Sequence, residues 1–364
     1  MKTRKRVLMV GKFFYPTHGG IEQHMLDHFR TLKDEIDFTL LAFNKEKKLV
    51  EENFEGAKLI RVPVDINIGN IPIGFKMLKY MNEYDGDIIL IHAPNPIPMF
   101  KLLSSRLKKK IIVMHHYDIT KQKILLVFYK PFLLRALKNA DTIVATADNN
   151  VRFSTVLKKY RDKCKIIPLG IDPKQFMPSN AILEQASALK EEYPGKRVIF
   201  VGRLTYYKGI KYLISASENC SYHLFIIGSG KDEAQLRELA YDNDNIHFLN
   251  DIDDLLPYYY CSDLFVLPSI AKSEAFGIVQ LEAMICGLPV ITTNLPSGVP
   301  EVQINGETGY IVQPRDPIAL REKIEFLLHN DDIRLKLGAA AMRRVKQHFI
   351  LEMTKKQWLE LYNE

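Results

Sequence analysis

Short apolar runs recur along the chain, each four to six residues long and bounded by turn-forming or charged residues. Apolar residues fill these runs almost continuously, which is the pattern of strands buried on both faces of a parallel sheet. The runs are 6–10, 38–42, 87–92, 110–115 and 142–145 in the first half, and 197–201, 223–227, 246–249, 264–267 and 289–293 in the second half.

The segments between these runs have the spacing of amphipathic helices, for example at 21–32, 208–217, 232–241 and 317–328. This alternation predicts repeated βα units, and hence an α/β fold with doubly wound sheets. A chain of 364 residues exceeds one ordinary core, and Pro and Gly cluster at 167–173. We therefore predict two Rossmann-like domains facing a cleft, at 1–170 and 171–345, with a C-terminal helix at 346–364 that packs back on the first.

The net charge of +7 is distributed unequally between the two halves. Residues 1–170 contain 30 Lys and Arg against 17 Asp and Glu, whereas the remainder contains 20 against 26. Lys108, Lys109 and Lys110, together with Lys121 and Lys123, flank the apolar stretch 124–134 and suit an anionic membrane surface. The alternative is a solvated face of ordinary helices. No nucleic-acid-binding motif accompanies these charges, so nucleic acid is not expected as a partner.

Cysteine usage and apolar run lengths bear on the compartment. The four cysteines are scattered without a C-x-x-C pair or a nearby His cluster, which argues against a disulfide framework and a zinc site. The apolar run after the basic N-terminus is too short for a signal peptide, and no later run approaches the ~20 residues of a membrane span. We expect a cytoplasmic protein, either free or held peripherally on the inner face of the cell membrane.

Two groups of candidate ligand-binding residues follow predicted strands, where parallel sheets bind their ligands. Gly19 and Gly20 precede the helix at 21–32, so the backbone and the helix N-terminus could approach a diphosphate. Arg203 and Lys208 follow the strand at 197–201 and could converge on one diphosphate. Taken alone, a Gly-Gly pair is an ordinary turn and two cations in a loop are an ordinary surface feature.

The densest group follows the strand at 264–267. Glu274 lies in a loop, Gly277 opens a helix, and Glu282 lies within that helix. A helix N-terminus suits phosphate, and carboxylates accept hydrogen bonds from sugar hydroxyls. We predict that the two glutamates bind different parts of one elongated ligand.

These three motifs, in this order, resemble those of the family 4 retaining glycosyltransferases, whose hallmark is Glu-x7-Glu; the similarity spans essentially the whole chain. The resemblance implies a GT-B fold and hexosyl transfer from a nucleotide-diphosphate sugar, without a metal or other cofactor, to a lipid-linked or oligosaccharide acceptor. It further implies that Lys208→Ala lowers turnover about tenfold or more without unfolding the protein. By this resemblance Arg203 and Lys208 would bind the diphosphate, Glu282 the ribose and Glu274 the hexose. Backbone N–H groups of Phe276, Gly277 and Ile278 would lie near the sugar and phosphate, and the turn at Ile252 would lie by the base. The Gly19–Gly20 loop would close over the phosphates.

A histidine pair follows the strand at 110–115. In the family a His after this strand lies near the transferred sugar, and the spacing to Tyr117 and Asp118 favours His116 over His115. A histidine with a purely structural role is the alternative. The stretches 92–96 and 117–123 resemble the subset that makes bacterial surface polysaccharides, often mannosyl- or rhamnosyltransferases, which favours a GDP-sugar.

Three alternatives to this interpretation remain. Asp251 and Asp253 form a D-x-D pattern that marks metal-dependent transferases of another fold, although Asp253 and Asp254 also suit helix capping. A hydrolase or epimerase of nucleotide sugars could use the same two-domain fold. A noncatalytic nucleotide-sugar-binding subunit would bind donor without transferring it.

Overall fold

A computed structural model describes residues 4–17, 19–68, 71–104, 109–118 and 123–364, with the backbone alone at 71, 104 and 123–128. The chain divides into two units. The first comprises the residues up to Pro168 together with Thr354–Glu364, and the second is Leu169–Met353. The boundary between the two units, after Pro168, lies two residues before the boundary predicted after residue 170.

The described residues of the first unit form an eight-stranded sheet in the order β10-β9-β8-β7-β1-β2-β4-β3, and β5 and β6 form a separate hairpin. Neighbouring strands of the large sheet are parallel except β3 and β4. The strands are β1 (Lys5–Val10), β2 (Ile36–Asn44), β3 (Val50–Phe54), β4 (Ala57–Pro63), β5 (Ile66–Ile68), β6 (Ile71–Ile73), β7 (Ile88–Ala93), β8 (Lys110–His115), β9 (Thr142–Ala145) and β10 (Cys164–Ile166).

Helices connect the parallel strands of this unit and contribute to its core. All six residues of β7 and the last five of β8 are buried, as the continuous apolar runs predicted. Buried side chains of the helices, such as Met77, Met81 and Leu137, belong to the same apolar cluster as the strand residues. The helices are α1 (Gly20–Leu32), α2 (Phe75–Glu83), α3 (Pro96–Ser104), α4 (Lys123–Asn139) and α5 (Asp148–Arg152).

The second unit has a six-stranded, fully parallel sheet in the order β13-β12-β11-β14-β15-β16 within the described residues. Its strands are β11 (Arg197–Val201), β12 (His223–Ile227), β13 (Ile246–Leu249), β14 (Leu264–Leu267), β15 (Val290–Thr293) and β16 (Gly309–Val312). Its helices are α6 (Asn180–Glu192), α7 (Ile210–Ala216), α8 (Glu233–Leu239), α9 (Leu256–Cys261), α10 (Val279–Ile285), α11 (Pro317–His329) and α12 (Asp331–His348). The prediction of an α/β fold with two doubly wound sheets is confirmed.

The C-terminal segment differs from the single helix predicted at 346–364. Helix α12 continues to His348, and a separate helix α13 (Leu351–Asn363) follows. Ile350 lies between α12 and α13, and its backbone forms a β-bridge to Ile171 where a continuous helix was predicted. The residues of α13 from Thr354 onward belong to the first unit, where the Tyr362 hydroxyl lies 2.7 Å from Nε2 of His28.

Each sheet has one switch point, which is the place between two neighbouring strands where the order of strand addition reverses its direction. In the first unit this point lies between β1 and β7, and in the second between β11 and β14. Ligands of doubly wound sheets bind beyond the carboxyl ends of the strands at such points. The loops that follow these four strands are therefore where the candidate residues must be sought.

Among the described helices, none is both long and apolar enough to cross a bilayer.

Candidate functional site

The loop after β11 is held against the end of β14 in the second unit. Residues Tyr206–Lys208 form a 3-10 turn, and Gly209 follows with a φ of 69°. A Cβ atom on Gly209 would lie 2.1 Å from the carbonyl oxygen of Pro268, so only glycine permits this approach. The Ile270 N–H donates to the carbonyl of Tyr207 at 2.8 Å. These contacts bring Lys208 to the switch point of the sheet.

Lys208 and Glu274 form a buried ion pair at this position. The Lys208 Nζ lies 2.7 Å from Oε2 of Glu274, and the residues are 7% and 8% exposed. The Ser269 hydroxyl, which is fully buried, donates to the same Oε2 at 3.1 Å. Both contacts fall on Oε2, so no described residue bonds to Oε1. A cation and a carboxylate predicted from separate motifs are thus brought together.

Glu282 lies within α10 and is fixed by a buried tyrosine. The Tyr259 hydroxyl donates to Oε2 of Glu282 at 2.9 Å, and Tyr259 is 1% exposed. Burial, and then the neighbouring Glu282 carboxylate, raises the pKa of Tyr259 well above its ordinary value, so the phenol remains a donor. The sequence alone assigned no role to Tyr259 or to Ser269.

The turn between Glu274 and Glu282 is built on Gly277, whose φ is 72° and where a Cβ atom would lie 2.7 Å from Leu267. The buried Gln280 amide donates to the carbonyl of Phe276 at 2.7 Å. Phe276 is itself buried, and Ile278 is the residue directly before α10. The predicted backbone positions therefore lie in a tightly fixed turn.

Arg203 and Ile252 are not part of this contact network. The Arg203 guanidinium is exposed and forms no ion pair or hydrogen bond with the described residues. Ile252 is half-buried against the core of the unit, in the loop after β13. Both follow strands of the same sheet edge, but the structure does not bring either into contact with Lys208 or Glu274.

The D-x-D pattern of Asp251 and Asp253 lies in the loop between β13 and α9. Asp251 has a φ of 53°, and Oδ1 of Asp254 accepts a hydrogen bond from the Leu256 N–H at 2.9 Å. The N-cap residue of α9 is Leu255, so Asp254 bonds to the first turn from one residue before the cap position, and the expected capping by Asp253 or Asp254 is not observed. In the described part of the chain, no group of three or more His, Cys, Asp or Glu is arranged to hold a metal ion.

The predicted residues of the first unit surround the end of β1 and β8. Gly19 is extended, α1 begins at Gly20, and a Cβ atom on Gly20 would meet no atom within 4 Å. His116 follows β8 and is 7% exposed. Its ring is not alone, because Nε2 of His116 lies 2.9 Å from Nδ1 of His92 on β7, and His24 of α1 lies beside both.

His115 has a different environment from His116. Its Nε2 lies 3.5 Å from Oδ1 of Asp118, which also accepts a hydrogen bond from the Ser154 hydroxyl at 2.7 Å. The Thr155 N–H donates to the other carboxylate oxygen at 3.2 Å. His115 thus contacts a carboxylate that is bound to the loop after α5, whereas His116 contacts two other histidines.

The predicted basic cluster of the first unit lies only partly within the described residues. Lys108 and Lys121 lie outside the described residues, and the side chains of 123–128 are not described. Lys109 donates to the carbonyl of Tyr84, and Lys110 donates to the carbonyl of Leu361 at 2.5 Å. Burial lowers the pKa of Lys110. Lys109 and Lys110 thus bind backbone carbonyls of the protein, and the predicted membrane surface stays a prediction.

Comparisons with known proteins match this arrangement. The family model "Glycosyltransferase Family 4" matches residues 18–175, and "Glycosyl transferases group 1" matches 183–344. An O-antigen chain mannosyltransferase C of Escherichia coli is 31% identical over 98% of both chains. The chain belongs to the family 4 glycosyltransferases. A D-rhamnosyltransferase of Pseudomonas aeruginosa, WbpZ, is also 31% identical, over 92% of this chain and 91% of that one.

Solved structures show that this glycosyltransferase has the GT-B fold predicted for it. A sucrose-phosphate synthase from Thermosynechococcus elongatus superposes with a TM-score of 0.82 over 99% of this chain and 98% of that one, at 20% identity. WaaG, a glycosyltransferase of lipopolysaccharide biosynthesis, superposes with a TM-score of 0.72 over 96% and 98%, at 17% identity. At such identities the likeness concerns the fold alone.

Proposed function

We propose that this glycosyltransferase transfers a hexose, with retention of configuration and without a metal, from a nucleotide-diphosphate sugar to a lipid-linked or saccharide acceptor of a surface polysaccharide. The observation that carries the proposal is the buried Lys208–Glu274 pair at the switch point of the second sheet. The two relatives at 31% identity, a mannosyltransferase and a rhamnosyltransferase, favour mannose or a related sugar from a GDP-sugar.

The ion pair suits a donor with both negative charge and hydroxyl groups. Lys208 has three donor hydrogens, and Glu274 accepts only one of them in this pair, so the remainder can meet phosphate oxygens. Oε1 of Glu274 makes no bond with the described residues and can accept from a hexose hydroxyl. One cation and one carboxylate would thus hold the diphosphate and the sugar at a fixed separation.

The remaining donor contacts follow from the same sheet edge. Glu282, oriented by Tyr259, would accept from the ribose hydroxyls. Arg203 is exposed at the end of β11 and can swing to the diphosphate, adding bidentate hydrogen bonds to the single charge of Lys208. The turn at Phe276–Ile278 would present backbone N–H groups, and the backbone at Ile252 would lie by the base.

The reaction replaces the bond between the anomeric carbon and the departing phosphate oxygen with a bond to the acceptor oxygen on the same face. The departing phosphate oxygen takes the proton that the acceptor hydroxyl loses, so no carboxylate nucleophile is required. Lys208 and Arg203 stabilise the negative charge that develops on the nucleotide diphosphate. His116 of the first unit would lie near the transferred sugar, and the Gly19–Gly20 loop near the phosphates.

The test is a panel of donors. Purified protein is screened by thermal shift against GDP-, UDP- and ADP-sugars, because a ligand of the native state raises its stability. A stabilising donor is then incubated with and without polyprenyl-linked saccharide acceptors. Transfer to acceptor supports the proposal; consumption of donor without acceptor identifies a hydrolase or epimerase; and binding without turnover identifies a noncatalytic subunit.

Association with the inner face of the cell membrane is part of the proposal, and Phe132 of the predicted apolar stretch 124–134 is one of the residues proposed to contact it. Phe100 of α3 and Phe132 of α4 are 39% and 47% exposed, with ring centroids 5.5 Å apart. Arg135, one turn after Phe132, is also exposed. Exposed aromatic rings beside a cation suit an anionic leaflet. Phe132→Ser should weaken sedimentation with phosphatidylglycerol vesicles, whereas Tyr241→Ser, at an exposed aromatic residue followed by an aspartate, should not. Equal binding of both variants refutes this part.

A further inference from the structure

Three histidines meet at the switch point of the first sheet. His92 is the second-last residue of β7, His116 directly follows β8, and His24 lies in α1. Ring centroids are 5.2 Å apart between His92 and His116, 5.8 Å between His24 and His92, and 5.4 Å between His24 and His116. The parallel ladder fixes the backbone here, since the His116 N–H donates to the carbonyl of Ala93 at 3.0 Å.

The contact between His92 and His116 is a hydrogen bond between two imidazoles. Nδ1 of His92 lies 2.9 Å from Nε2 of His116, with the rings inclined by 20°. Burial lowers the pKa of both rings well below the ordinary value, so both are neutral at pH 7. One of the two facing nitrogens must carry the proton and the other must accept it. The tautomer of His116 is therefore linked to that of His92.

We propose that His92 is a positioning residue for the sugar-transfer reaction, which holds the His116 ring in one orientation and one tautomer. The inference rests on the proposed function, in which His116 lies near the transferred sugar. The bond occupies Nε2 of His116, so Nδ1 is the nitrogen that can meet substrate. Fixing the tautomer decides whether that nitrogen donates to or accepts from a hydroxyl.

His24 supports the same arrangement from the helix side. Its ring lies edge-on to His116 at 77°, and its Nε2 is buried without a hydrogen-bond partner among the described residues. It therefore packs against the pair without competing for the hydrogen bond. The other titratable groups facing the pair are His28 of α1, next to His24, and His115 of β8, which contacts Asp118.

The chain contains a matched control for this contact. Nδ1 of His223 lies 3.1 Å from Nε2 of His247, again between neighbouring parallel strands and again 24 residues apart. His223 is the first residue of β12, so this pair lies toward the amino ends of its strands, away from the switch-point loops. The same interaction can thus be removed at a position with no proposed ligand.

The experiment compares three single variants. His92→Leu removes the hydrogen bond, His92→Asn keeps an amide where Nδ1 lies, and His223→Leu is the control. We expect His92→Leu to lower kcat about tenfold with the donor KM changed less than about twofold. His92→Asn should recover most of that loss, and His223→Leu should stay within about twofold of the wild type. Thermal melting establishes that each variant is folded.

A pH profile separates positioning from a merely structural role. Burial lowers the pKa of His116, and the neighbouring His92 and His24 lower it further, so replacing His92 changes the pKa of His116. The acidic limb of kcat should therefore shift in His92→Leu and stay in place in His223→Leu. Unchanged kcat and an unchanged limb in His92→Leu overturn the inference, as does a folded His92→Asn that is as impaired as His92→Leu.

Imidazole ¹⁵N shifts measure the linkage without any turnover. Wild-type protein with labelled histidine should show His116 in a single tautomer, and His92→Leu should show a mixture. A mixture already present in the wild type refutes the linkage. If instead the wild type shows one tautomer but transfers no sugar from any donor, the proposed function has failed and His92 has no transfer reaction to position.

Discussion

Removing Lys208 should destabilise the second unit as well as reduce transfer. In Lys208→Met the Glu274 carboxylate, which is 8% exposed in the wild type, keeps the Ser269 hydroxyl alone as a partner among the described residues. Breaking a buried ion pair by removing one partner costs about 3 kcal/mol or more, because the other charge is left uncompensated. For a unit the size of Leu169–Met353, that corresponds to a decrease of roughly 6–12 °C in Tm. The expectation from sequence, that a Lys208 variant loses activity alone, does not include this cost.

A double-mutant cycle assigns the loss to the ion pair. Lys208→Met/Glu274→Gln has no buried unpaired charge, so it should recover about 2 kcal/mol relative to the sum of the single variants. The recovered protein should still fail to transfer sugar, because both predicted donor contacts are gone. Stability would then recover in the double variant while activity stays lost.

Calorimetry is the suitable assay, since the single Trp of the chain, Trp358, lies in the first unit and its fluorescence reports that unit. Lys196→Met is the matched control, because Lys196 forms a surface ion pair with Asp331 at 2.5 Å and Asp331 is 59% exposed. Surface pairs contribute about 0–1 kcal/mol. If Lys208→Met melts like Lys196→Met, or if the double variant equals the sum of its singles, the reasoning is refuted.

Three further predictions follow from other contacts. Tyr259→Phe should raise the donor KM about tenfold at unchanged kcat, because Glu282 loses its buried hydrogen-bond donor. The control is Tyr260→Phe, which removes a hydrogen bond to the Phe176 carbonyl instead. Equal donor KM values in the two variants would contradict the role of Tyr259. EDTA should leave transfer intact; a loss that only magnesium or manganese restores would return the D-x-D pattern to consideration. Burial lowers the pKa of His24 to about 4 from 6.5, so the unfolded chain binds more protons between these values and stability should fall as pH drops from 6.5 to 4. His24→Leu should flatten that fall in urea titrations, and an unchanged slope would show that His24 does not contribute to it.

The sequence predicted the parallel strands well because their burial leaves a simple pattern. The runs at 142–145 and 223–227 match β9 and β12 residue for residue. The strand β3 was missed because its sequence, VEENF, has three exposed polar residues in its centre. In β4 the charged residues Lys58 and Arg61 interrupt the buried apolar residues. The edge strand β16 was missed as well, since only two of its four residues are buried. Strands with one solvated face lack the continuous apolar run on which the prediction depended.

The residues of the site were predicted as separate motifs, but the contacts between these motifs could not be predicted from the sequence. Lys208 and Glu274 are 66 residues apart, and their pairing depends on Gly209 approaching the carbonyl of Pro268, which a motif does not encode. Ser269 offered a signal, since a small hydroxyl residue two positions after β14 stands at the switch point. Tyr259 offered none, because its hydroxyl meets Glu282 only through the packing of α9 and α10 against one core.

The two histidine pairs show why position within the sheet outweighs residue chemistry in assigning function. His92–His116 and His223–His247 join the same two ring atoms, Nδ1 and Nε2, at the same sequence separation and across neighbouring parallel strands. They differ in the end of the strand that carries them, and helices and ligand-binding loops follow only the carboxyl ends. His24 can join the first pair because α1 starts beyond the end of β1, whereas the second pair packs against Tyr193. A comparison of His92→Leu with His223→Leu therefore tests the polarity of the sheet, with the imidazole chemistry held constant.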